Sequence, residues 1–133
     1  MQYDKFVGEV HHRARLASRG ETVRAIQATL ETLAERITGS EAEDLAAQLP
    51  PELGTYLQQT EKTERFPVET FFLRVAAKEG VDVPDATFHA RAVMDVLGEA
   101  VTAGELEDVL SQLPESYEPL FEAGSEGEMD LSS

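Results

Sequence analysis

The chain has 133 residues, 41% of them hydrophobic, enough for one domain or two small ones sharing a core. Its 26 acids against 11 bases give a formal charge of −15, which argues against binding that releases counterions from nucleic acid and against docking on an anionic membrane. With no cysteine, disulfides, thiolate metal sites and Cys nucleophiles are excluded, and no apolar run approaches the roughly 20 residues that span a bilayer.

In chain order, Tyr3, Phe6, Val7, Val10 and Ala14 recur at helical spacing and predict a first amphipathic helix. Gly20 lies near a break, after which Val23, Ile26, Leu30, Leu33 and Ile37 predict a second, longer helix. A short third helix starts at a capping-box pattern, which Ser40-x-x-Glu43 and Thr38-x-x-Glu41 both fit. It must end near Leu49-Pro50, because proline lacks an amide donor and disfavours helical geometry before it. Pro51 then opens a fourth, short helix that offers Leu53, Tyr56 and Leu57 to the core. Residues Gln58–Arg65 are polar and read as a linker.

The same series then repeats. Val68, Phe71, Phe72, Val75 and Ala76 form a stripe; Asp82-Val83-Pro84-Asp85 caps the next helix, which carries Ala90, Met94, Leu97 and Val101. Thr102-x-x-Glu105 opens a short helix that breaks at Leu113-Pro114, and Tyr117, Leu120 and Phe121 close the series on a short helix with Pro114 in its first turn. Leu45-Ala-Ala-Gln-Leu-Pro50 thus recurs as Val109-Leu-Ser-Gln-Leu-Pro114, 64 positions on, and the offset becomes 65 for the first helix. The expected architecture is all-α: a helical bundle of two pseudo-equivalent copies, each with two longer and two short helices. The copies are residues 1–57 and 66–121, with a linker at 58–65 and a disordered acidic tail at 122–133, the copies packing as one domain. The second part is the more acidic: 4 bases and 16 acids over residues 63–133, against 7 and 10 before them. Acid-rich, Lys-poor composition suits a halophilic source, where salt screens self-repulsion. A start without a basic, apolar leader predicts a cytoplasmic location.

The candidate chemistry is sparse. Glu41, Glu43 and Asp44, matched by Glu105, Glu107 and Asp108, are weak candidates for a Mg²⁺ or Ca²⁺ site, since these ions prefer oxygen ligands. Their bland reading is capping, because acids in a first turn complement the helix dipole. His11 and His12 point about 100° apart and do not form a metal pair; His89 can meet an acid such as Glu21 or Asp85. Arg13, Arg15, Arg19 and Arg24 form the basic cluster, read as a solvated face with local ion pairs, with contact to phosphate or to an acidic partner such as the second copy as the alternative. Gln48 and Gln112 are expected to bond backbone groups freed at the proline breaks. Phe88, Ala92 and Val96 give the second long helix of the later copy an extra apolar line, where the earlier copy has Arg24, Ala28 and Thr32. That line either packs inside the bundle or is an interface.

The block Ala28–Leu57, with Asp44-Leu-Ala-Ala-Gln-Leu-Pro-Pro-Glu-Leu53, resembles the domain-of-unknown-function family 2267. The later Gly104-Glu-Leu-Glu-Asp-Val-Leu-Ser-Gln-Leu-Pro114 and Tyr117-Glu-Pro-Leu-Phe121 are similar to it too, and the resemblance covers about residues 3–121. It implies a small, helical, internally duplicated prokaryotic protein and brings no catalytic residue or cofactor. The reading is of a non-catalytic helical interaction or regulatory module that contacts a protein partner or itself. The alternative is a small-ligand or divalent-cation binding protein with a site between the copies.

Overall fold

The structure is a computed structural model that describes residues 1–58 and 62–122. The middle of the expected linker, 59–61, and the expected tail from 123 on lie outside the described residues. The fold is all-α: α1 (Tyr3–Ala14), α2 (Arg19–Arg36), α3 (Gly39–Ala47), α4 (Pro51–Leu57), α5 (Val68–Glu79), α6 (Val83–Ala100), α7 (Ala103–Ser111) and a 3₁₀ helix (Glu115–Phe121). Among the described residues there is no strand. The helix lengths run 12, 18, 9 and 7 residues, then 12, 18, 9 and 7 again.

Local chemistry sets the boundaries. Ser18 caps α2 by accepting from the Glu21 amide at 3.1 Å, and Asp82 caps α6 by accepting from the Asp85 amide at 2.9 Å. Gly80 ends α5 in the left-handed region (φ 79°), where a missing Cβ removes the usual strain. Arg15 ends α1 in that same region (φ 56°) without glycine's advantage. Of the competing starts for α3, Thr38 is the cap and Ser40 is not; Thr102 does the same for α7. The last element departs from expectation. It is 3₁₀ rather than α-helical, with Pro114 as its cap and Pro119 inside it. Pro119 has no amide to give to an α-helical ladder, and its carbonyl accepts from Arg91 Nε at 2.6 Å.

The long helices α2 and α6 form the centre. α1 packs against α6 as well as α2, and α5 against α2 as well as α6, so the first and second halves exchange packing partners. Phe6, Val10, Ile26, Leu30, Leu33, Phe71, Val75, Val93 and Leu97 meet there with no more than 1% of their surface exposed. Each such side chain is worth roughly 1.5–3 kcal/mol of burial. The segment read as a polar linker is pinned at its far end. The Glu64 amide donates to the Glu35 carbonyl, and the Thr63 hydroxyl donates to the Ile37 carbonyl. Beyond it Phe66 is buried, and its carbonyl accepts from both Arg36 Nε and the Tyr117 hydroxyl. No helix among the described residues is long and apolar enough to cross a membrane.

Candidate functional site

Two places concentrate polar chemistry, at opposite ends of α2 and α6. The first lies where α3 and α7, which follow those helices, meet. In a capping box the acid at the third helical position returns its carboxylate to the amide of the cap residue. Glu41 and Glu105 hold that position behind Thr38 and Thr102 and should serve this purpose. They do not, because the cap amides are taken from across the junction. The Thr38 amide donates to Gln112 Oε1 and the Thr102 amide donates to Gln48 Oε1, both at 2.8 Å. Gln112 Nε2 also donates to the Thr38 hydroxyl at 3.2 Å. The two glutamines therefore do not bond the backbone freed at their own proline breaks, as the sequence suggests; each reaches the start of the opposite short helix.

Displaced from capping, the two glutamates turn to each other. Glu41 is 7% exposed and Glu105 6%, and Oε2 of each is buried with no hydrogen-bond partner among the described residues. One oxygen each from Glu41, Glu105 and exposed Asp108 lie within 4.8 Å of one another. Burial lifts the Glu105 carboxyl to about 7, helped by hydrogen bonding and charge from Glu41 and then by the charges of Asp44 and Asp108. Glu43 and Glu107 are exposed and stand apart from this group. Of six candidate carboxylates, three thus converge on one point and Asp44 adds its charge.

The second place is a cleft of about 400 Å³ between the α1–α2 and α5–α6 turns. His89 lines it, and its carboxylate partner is neither Glu21 nor Asp85 but Glu79, the last residue of α5. Nδ1 of His89 is bonded to Glu79 Oε2, and both residues are buried. Sequence reasoning missed Glu79, although a signal existed: it continues the Phe72, Val75 and Ala76 stripe onto a core-facing position. Two members of the arginine cluster, Arg15 and Arg24, line the same cleft. The other two form ion pairs: Arg13 with Glu9, Asp95 and Glu99, and Arg19 with Asp4. The Arg13 pairs tie α1 to α6, as the Lys78–Glu35 and Arg74–Glu35 pairs tie α5 to α2. His11 Nδ1 is 3.0 Å from the Thr22 hydroxyl, and His12 is exposed.

Ala92 and Val96 are buried; only Phe88, 36% exposed, reaches the surface, and it does so in the cleft. The three do not form a continuous apolar face.

Among known proteins, the profile described as "Uncharacterized conserved protein (DUF2267)" matches residues 3–120. No curated protein matches the chain. A match over nearly the whole described fold settles membership without bringing an activity: the chain belongs to the DUF2267 family.

Proposed function

We propose that this protein is a non-catalytic helical module that binds one hard divalent cation between two copies of one four-helix unit. The observation that carries the reading is the convergence of one oxygen each from Glu41, Glu105 and Asp108, where Glu41 and Glu105 each also bury an oxygen with no hydrogen-bond partner among the described residues. Two like charges confined in this way favour either a shared proton or a cation. An all-oxygen ligand set suits Mg²⁺ or Ca²⁺ rather than a softer metal, with water completing the shell. The repeated helix lengths and the reciprocal Gln48 and Gln112 bonds support the two-copy reading. On that reading the site lies at the junction of the copies, where a cation would fasten one to the other.

The experiment is a calorimetric titration with Ca²⁺ and Mg²⁺ at pH 8. Saturable binding of one ion per chain is expected, lost in Glu105→Gln and kept in Glu43→Gln and Glu107→Gln. The exposed-residue variants control for diffuse attraction of cations to so acidic a chain. No saturable heat from either ion, or equal binding by Glu105→Gln, would overturn the reading.

A further inference from the structure

We propose that the cleft between the α1–α2 and α5–α6 turns binds a small monocarboxylate with an apolar body. It is a second site, independent of the α3–α7 junction. At about 400 Å³ it is the size of a metabolite pocket.

The polar groups in it are not demanded by the fold. Glu79 is the twelfth and last residue of α5; the twelfth and last of α1 is Ala14. His89 is the seventh residue of α6; the seventh of α2 is Ala25. Both alanines are buried, so small apolar side chains satisfy the packing at corresponding positions. A buried acid and a buried imidazole in the other half add desolvation without a packing need. Glu79 Oε1 is left with no hydrogen-bond partner among the described residues.

Arg15 gives the same message through the backbone. Gly80 stands at the matching turn after α5, where the left-handed conformation is free of strain. Arg15 adopts that conformation against its Cβ, and its side chain lines the cleft. Arg24 lines it too, and neither arginine has an ion-pair or hydrogen-bond partner among the described residues. These are two cations left open in a chain where acids exceed bases more than twofold.

The ligand class follows from the lining. The guanidinium fork matches a carboxylate in two parallel bonds. Nδ1 of His89 is committed to Glu79, and Nε2 has no partner among the described residues. Across the cleft, the sixth residue of α2 is Arg24 and the sixth of α6 is Phe88. One supplies charge and the other a half-exposed ring, with Leu16 beside it for an apolar body. The remaining acids limit the ligand's charge. Glu21 accepts the Ala17 amide at 3.2 Å and keeps its charge, and together with Asp85 on the same lining it repels a second negative charge. A monocarboxylate therefore fits better than a phosphate dianion.

Benzoate and inorganic phosphate are the probes, titrated into the full chain at pH 7 and followed by the NMR signals of the His89 ring. Saturable shifts with benzoate are expected, with phosphate binding about tenfold weaker or not at all. Arg24→Gln and Arg15→Gly should each weaken benzoate about tenfold. Glycine suits the φ at position 15, so a loss there without a drop in melting temperature is a loss of contact. Glu105→Gln should leave benzoate binding unchanged, which separates this site from the cation site. Unmoved His89 signals, or unaltered binding in both arginine variants, would sink the proposal; phosphate binding as tightly as benzoate would overturn the monocarboxylate assignment.

Discussion

The two ends of the α2–α6 pair are built on opposite plans. At the end where α2 and α6 finish, the residues come in matched pairs: Thr38 with Thr102, Glu41 with Glu105, Gln48 with Gln112. At the end where they start, the corresponding positions differ: Ala14 against Glu79, Arg15 against Gly80, Arg24 against Phe88, Ala25 against His89. Matched residues suit a task that both halves perform on each other, such as closing a junction. Unmatched residues suit a task that needs only one orientation, such as holding a ligand with a charged head and an apolar body. The comparison therefore separates a joint from a pocket.

The largest effect should come from breaking the unmatched end. Glu79→Ala removes the carboxylate that bonds His89 and leaves a buried imidazole nitrogen without a partner. A loss of about 2 kcal/mol is expected in urea unfolding. Removing both groups, in Glu79→Ala with His89→Ala, brings that position to the alanine pair of the first half, Ala14 at the end of α1 and Ala25 in α2. The double variant should cost less than the sum of the singles by about 1–2 kcal/mol. Strict additivity would show that the two residues are not a unit.

The matched end should respond to pH. The Glu105 carboxyl is raised to about 7 by burial and by Glu41, Asp44 and Asp108. A group raised on folding lends stability that is full below its ordinary value near 4.5 and is lost as pH rises through 7. Stability should thus fall by about 2 kcal/mol between pH 5 and 8 in a chelator-containing buffer. Glu105→Gln should flatten that fall, and Ca²⁺ at pH 8 should restore part of it in the native chain. A slope identical in Glu105→Gln would show that the fall belongs to the general charge of the chain.

Much of the matched end was legible in the sequence, because its determinants are local. The Thr-x-x-Glu starts, the acidic first turns and the Gln-Leu-Pro breaks each act within a few residues. What they do together was not legible. The glutamines read as partners for their own proline breaks because a sequence shows nothing of the distance from Gln48 to Thr102. Glu41 and Glu105 read as helix-capping acids because their burial depends on α3 meeting α7. The 3₁₀ helix was missed for a local reason: Pro119 outweighed the apolar spacing of Tyr117, Leu120 and Phe121. At the unmatched end the deviations themselves were the information. Glu79 and His89 sit at core-facing positions of apolar helices where their counterparts are alanine, and only the folded chain puts them side by side with Arg15 and Arg24.

The smallest effect is also the one that most directly tests how the joint is made. Gln48→Ala and Gln112→Ala each remove an acceptor from a helix-cap amide at an exposed position, where water substitutes. Each should cost about 0.5–1 kcal/mol. Gln112→Ala should be the costlier, because Gln112 bonds both the amide and the hydroxyl of Thr38 whereas Gln48 bonds only the Thr102 amide. The sharper reading is the pH profile of Gln48→Ala. With the Thr102 amide vacated, Glu105 regains its ordinary capping-box partner, and its charged form gains a donor it now lacks. The fall in stability between pH 5 and 8 should shrink, and Ca²⁺ binding should weaken although no proposed ligand has been touched. If the profile and the Ca²⁺ affinity of Gln48→Ala match those of the native chain, the glutamine does not hold Glu105 at the junction, and the carboxylates meet for another reason.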